Sequence, residues 1–154
     1  MRKSHIRDYA TAAFQYYALT GGSDKLKKQI MAQVIEEQKK REERRQQGEV
    51  SSPTEEAINR FELKLAERVA ELQDLDAVEK TIAFFESFGN HTGSSMMKAL
   101  KMVYMVDPHR DPEKGEISER VHHAEINIPA SERSIYGWLA LARKTFAKER
   151  GLRF

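Results

Sequence analysis

A chain of 154 residues is long enough for one domain or two small ones. Hydrophobic residues make up 40% and charged residues 32%, which allows a modest core, and no apolar run approaches the roughly 20 residues that span a bilayer. Cysteine is absent, so disulfides and thiolate metal sites are excluded, and the opening MRKSHIRDYATAAF carries charge but no apolar stretch of the kind that begins a secretory signal. The expected location is cytoplasmic, in keeping with a reducing compartment.

The net charge of +2 conceals a polarised chain. Residues 50–90 are acidic, whereas residues 130–154 hold six basic residues against two acidic ones. A basic end on a nearly neutral chain points to a localised contact with a polyanion rather than general stickiness.

Strand signals are scarce: there is no clear period-two run and no Asn-Gly or Asp-Gly hairpin turn. Apolar residues recur at three and four, which predicts an all-α fold. The first helix starts near Ser4, turns Ile6, Tyr9, Ala13, Phe14 and Tyr17 inward, and stops at Gly21-Gly22. Ser23 or Asp24 caps the next, whose apolar set is Leu26, Ile30 and Val34. That stripe then gives way to EEQKKREERRQQ (36–47), read as a solvated helix that frays into the linker GEVSSPT. Its i,i+4 pairs, Glu36 with Lys40 and Glu37 with Arg41, each contribute about 0.2–0.5 kcal/mol to an isolated helix.

Ser52-Pro53-Thr54-Glu55 has the pattern of a capping box with proline at the first helical position. The helix it starts should bury Ile58, Phe61, Leu65, Val69 and Leu72. Asp76 and Glu79 repeat the spacing and predict a further helix with Val78, Ile82, Phe85 and Phe88 inward. GNHTG reads as a loop, Ser94 or Ser95 as the start of a helix carrying Met97, Leu100, Val103 and Tyr104, and VDPHRDPEKG as a long loop. A short helix from Glu116 to about Ala124 follows, with Ile117 and Val121 inward, before Asn127-Ile128-Pro129 breaks it. The expected division is a helical hairpin with a charged tail over 1–49 and a helical domain over 50–154 that ends in a helix-turn-helix.

The final helix, ASERSIYGWLALARKTFAKERG, holds the feature that bears on function. At 100° per residue, Ile135, Leu139, Ala142 and Phe146 share a narrow arc, with Trp138 at its edge. The opposite side carries Arg133, Gly137, Ala140 and Lys144, flanked by Tyr136, Ala147 and Lys148. An interior glycine costs about 1 kcal/mol relative to alanine, so stability alone does not favour Gly137. A helix lying in the major groove does favour such a face. Small residues permit close approach, long donors beside them reach base edges, and lysines farther along reach phosphates. Ser131 at the cap leaves the first amides well placed for phosphate. The expected DNA-contact set is therefore Ser131, Glu132, Arg133, Tyr136, Gly137, Ala140, Lys144 and Lys148. The competing reading of the same residues is a helical hairpin with an ordinary surface.

Ser131-Glu132-Arg133-Ser134-Ile135-Tyr136, then Trp138-Leu139 and Ala142-Arg143-Lys144, resembles the recognition helix in the last DNA-binding region of bacterial sigma factors. Asp76-Ala77-Val78-Glu79-Lys80, followed by Leu100 through Tyr104, is similar to the upstream helices of sigma-like late-gene regulators of the ArpU and RinA type from phages and Gram-positive bacteria. The likeness covers most of residues 74–151 and leaves the front third unmatched. It departs from the sigma pattern between Val121 and Ile135, where the connection is about three residues longer and contains Pro129. The resemblance implies promoter DNA and RNA polymerase as partners, with Arg133, Tyr136 and Lys144 at contact positions. A full sigma factor is not expected, because no separate promoter-melting domain fits before residue 50.

Catalytic and metal signatures are weak. His122 and His123 are adjacent, point about 100° apart on a helix, and lack HExxH spacing. Asp107, Asp111 and Glu113 imitate a calcium loop, but His109 takes its third position and Pro112 stands where its glycine should be. Neither a phosphate-cradling glycine loop nor a nucleophile elbow is present. No enzyme activity, cofactor or metal is expected. Three readings follow. The first is a DNA-binding transcriptional regulator, phage or prophage in style, with a homodimer as one expected form. The second is a small terminase-like packaging subunit using the same helix-turn-helix. The third is an interaction module without DNA binding that pairs through Ile58, Phe61, Leu65 and Leu72.

Overall fold

The computed structural model describes residues 3–44 and 53–153. Apolar residues spaced by three and four form seven α-helices among them: α1 (Lys3–Thr20), α2 (Ser23–Arg44), α3 (Pro53–Glu67), α4 (Val69–Glu86), α5 (Asn90–Tyr104), α6 (Glu116–Asn127) and α7 (Glu132–Arg150). No strand occurs among the described residues, and the all-α class holds. No described helix is long and apolar enough to cross a membrane.

Several boundaries differ from the expected ones for identifiable reasons. Val69 to Glu86 is one helix, so Asp76 and Glu79 lie inside it rather than at a start. The segment contains neither glycine nor proline, and its buried Leu75, Ala77 and Val78 keep it helical through the supposed cap. GNHTG is not a loop beyond Gly89, since α5 already begins at Asn90. Gly93 is a packing glycine rather than a turn: a Cβ there would lie 2.8 Å from the Phe85 carbonyl oxygen. The expected fraying end of the charged stretch, the linker and the Ser52 cap lie outside the described residues.

Contacts divide the chain into two units, Met1–Gly22 with Gln73–Phe154, and Ser23–Leu72. This differs from a hairpin over 1–49 followed by a domain over 50–154. The physical reason is the aromatic face of α1, which belongs to the core of the larger unit. Phe14 stacks on Tyr104 of α5 at 5.7 Å between centroids and meets Phe146 of α7 at 5.8 Å, while Tyr9 also meets Phe146 at 5.9 Å. Around these rings, Val78 and Phe85 of α4, Leu100 and Val103 of α5, Val121 of α6, and Ile135 and Leu139 of α7 complete a single apolar cluster.

The smaller unit holds the pair α2 and α3. Leu26, Ile30 and Val34 are buried, and Gln38 continues their four-residue register into the charged stretch. Its amide donates to Glu56 at 3.1 Å. Lys64 reaches Glu37 at 3.0 Å, with Arg60 at 3.8 Å from the same carboxylate. The expected burial of the stripe from Ile58 to Leu72 is only partial. Phe61, Leu65 and Leu72 are half-buried, but Ile58 and Val69 are about half exposed, at 48% and 51%. Phe88, expected inward, is also exposed beyond the end of α4.

Candidate nucleic-acid interface

Helix α7 is defined at both ends by its own residues. Ser131 has extended backbone geometry, and its Oγ accepts the Ser134 N–H at 3.2 Å, an N-cap. At the other end Gly151 takes left-handed geometry, with φ 79°. The Leu152 N–H then reaches the Ala147 carbonyl at 2.8 Å and the Gly151 N–H reaches Lys148 at 3.1 Å, the paired bonds of a Schellman motif. One residue departs from the helical wheel: Ala147, expected beside the outward face, is fully buried.

The inward stripe is as expected, with Ile135, Leu139, Ala142 and Phe146 all inaccessible and Trp138 half-buried at its edge. Two of its arginines fix the helix further. Arg143 donates to the Tyr104 hydroxyl at 2.6 Å, so it points back to α5 rather than outward. Arg150 and the Tyr9 hydroxyl both donate to Asp74 Oδ1 at 2.7 Å, joining α1, α4 and α7. Burial, reinforced by the hydrogen bond to anionic Asp74, raises the Tyr9 hydroxyl above its ordinary value.

The helix before it is anchored as well. Glu116, in the first turn of α6, accepts from Arg110 at 2.7 Å and from Arg120 at 2.8 Å. Arg120 also donates to the Val103 carbonyl at 2.8 Å, tying α6 to α5. The Arg110 hydrogen bond, with the charges of both guanidinium groups, holds the Glu116 carboxyl below its ordinary value. Between α6 and α7 the chain spends only residues 128–131, and buried Ile128 pins that connection to the core.

The outward side of α7 is open. Nothing lies within 4 Å of a Cβ built on Gly137, and Ala140 is exposed. Arg133, Tyr136, Lys144 and Lys148 are exposed around them. Among the described residues no carboxylate pairs with Arg133, Lys144 or Lys148; the ion pairs of α7 run instead from Glu149 to Lys80 and from Arg150 to Asp74. Of the expected contact residues, Arg133, Tyr136, Gly137, Ala140, Lys144 and Lys148 are exposed on or beside the outward side of α7, and Ser131 is exposed at its N-cap. Glu132 is also exposed, but its carboxylate gathers with His122 and Glu125 of α6.

No family model, no curated protein and no solved structure matches the chain. The surface itself therefore carries the functional reading.

The histidine pair and the acidic loop resolve differently in space. His123 faces Asn127, whose side chain donates to the His123 carbonyl at 2.9 Å, while His122 turns toward Glu125. Asp107, Asp111 and Glu113 do not converge: the one group of metal-ligating side chains among the described residues is His122, Glu125 and Glu132. That group is invisible to motif reading because Glu132 is ten residues from His122 and meets it only through the turn between α6 and α7.

Proposed function

We propose that the protein binds double-stranded DNA and regulates transcription, seating the outward side of α7 in the major groove. The observation that carries this reading is the combination at Gly137: open space at the helix surface, bordered by cations that no described carboxylate neutralises. A solvated helix face gains from i,i+4 ion pairs and strong helix formers. This face lacks such ion pairs and has glycine, a poor helix former, at its centre, but with Gly137 and Ala140 it has the small residues that close approach to a phosphate-lined groove requires. In this reading Arg133 and Tyr136 reach base edges, and Lys144 and Lys148 reach phosphates. The resemblance to sigma-like late-gene regulators agrees with that assignment and adds RNA polymerase as a proposed partner.

The experiment is selection of duplex fragments from a random pool with the full chain, followed by anisotropy titration of the selected sequence against a scrambled one. A preference of at least about 10³-fold at physiological salt is expected of specific recognition. Equal, weak binding to both duplexes would reduce the protein to a non-specific polyanion binder. No binding to either would remove the reading.

One observation favours a second reading, helix pairing through the stripe that begins on α3. Ile58 and Val69 lie about half exposed on a stripe that the sequence marks as apolar. Solution mass separates the possibilities: a dimer suits an operator with two half-sites, and a ring of many copies suits a packaging subunit.

A further inference from the structure

We propose that His122, Glu125 and Glu132 form a binding site for a divalent transition-metal ion of the Zn2+ class, bridging α6 and α7. One ligand atom from each of the three side chains lies within 4.8 Å of the others, and His122 Nδ1 is 3.9 Å from Glu125 Oε2. His122 and Glu125 stand three apart on α6 and so share a face. Glu132 comes from the first turn of α7, so the set spans two helices and belongs to no local sequence motif.

The donor chemistry selects the ion. One imidazole nitrogen with two carboxylates suits Zn2+, Co2+ or Ni2+. Calcium takes six to eight oxygen ligands and is poorly served by three side chains of which one is an imidazole. Bonds of about 2.0–2.2 Å put tetrahedral ligand atoms about 3.4 Å apart, so the present separations close by about an ångström. The side chains are free to make that movement. His122 is 74% exposed, and among the described residues neither glutamate is paired to a lysine or arginine. Two carboxylates from different helices thus stand together beside one imidazole. A dication bound there cancels their repulsion and leaves a fourth position for water. It also cross-links the two helices next to the short 128–131 connection.

The site's existence rests on these three side chains alone, whereas its consequence rests on the DNA reading. Glu132 lies in the first turn of α7, next in sequence to Arg133 of the outward face. A bound cation there both fixes the angle of α7 against α6 and removes negative charge where phosphate would approach.

The test is calorimetric titration of the full chain with zinc chloride near neutral pH, without DNA, together with the visible absorption of the cobalt form. One ion per chain is expected. His122→Ala and Glu132→Gln should each lower affinity by at least about tenfold, since even groups that only orient ligands change it by that much. His123→Ala should leave it within about twofold. Circular dichroism of the metal-free variants checks that all three keep their helix content. Absence of one-to-one binding in the unaltered chain overturns the site, and so does loss in His123→Ala equal to that in His122→Ala. Because the titration contains no DNA, its result is independent of whether the duplex-binding reading stands.

Discussion

Gly137 allows stability and DNA affinity to be separated in one position. The glycine sits well inside α7, more than a turn from either end, and nothing lies within 4 Å of a methyl placed on it. Gly137→Ala should therefore gain the ordinary helix-interior difference, about 0.5–1 kcal/mol, with no steric penalty. For a chain of this size that raises Tm by about 1–4 °C. Gly137→Glu should also keep the helix, because glutamate is a good helix former and falls one turn after Arg133. At the duplex the same substitutions act the other way. Glutamate puts a carboxylate between Arg133 and Lys144, where phosphates are proposed to lie, and should weaken specific binding by at least about tenfold, or about 1.4 kcal/mol. Alanine should weaken it less, through bulk alone. Thermal unfolding by circular dichroism and anisotropy titration on the selected duplex measure the two effects side by side. A lower Tm in Gly137→Ala would mean that the surface is not open. Unchanged affinity in Gly137→Glu would mean that α7 does not seat on DNA through this side.

The other glycine of interest should behave in the opposite sense. Gly93→Ala places a methyl 2.8 Å from the Phe85 backbone oxygen, which cannot swing aside, and should destabilise by about 1–3 kcal/mol in urea unfolding; an unchanged midpoint would refute the close contact. Lys144→Ala should weaken binding to all duplexes alike and reduce the slope of log K against log salt by about one, whereas an unchanged slope would take Lys144 off the phosphates. Glu116 supplies a pH test. Its folded-state value lies below the usual 4.5, so its stabilisation is fully present above that pH and is lost as pH falls through the lower folded value. Glu116→Gln should accordingly be less stable than the parent at neutral pH and lose less stability below about pH 4.5; parallel pH profiles would show that the Arg110–Glu116–Arg120 cluster contributes nothing.

Local sequence determined the helices and the ends of most of them. Double glycine stops α1, Pro53 starts α3, and Ser131 with Gly151 brackets α7, because caps and breakers act over a few residues and need no partner. The wheel of α7 was legible for the same reason: a 3.6-residue period sorts Ile135, Leu139, Ala142 and Phe146 from Gly137 and Ala140 without reference to anything else. Tertiary structure decided what those faces meet. It took α1 out of the expected hairpin and set Phe14 between Tyr104 and Phe146, a choice invisible locally because any apolar face satisfies the pattern. It left Ile58 half exposed, buried Ala147, turned Arg143 inward to Tyr104, and made Gly93 a contact rather than a turn. It also brought Glu132 to His122 and Glu125. Periodicity fixes the direction of a side chain about its own helix axis, but which helix stands opposite is set by the summed packing of the whole core, and that sum is not written in any one segment.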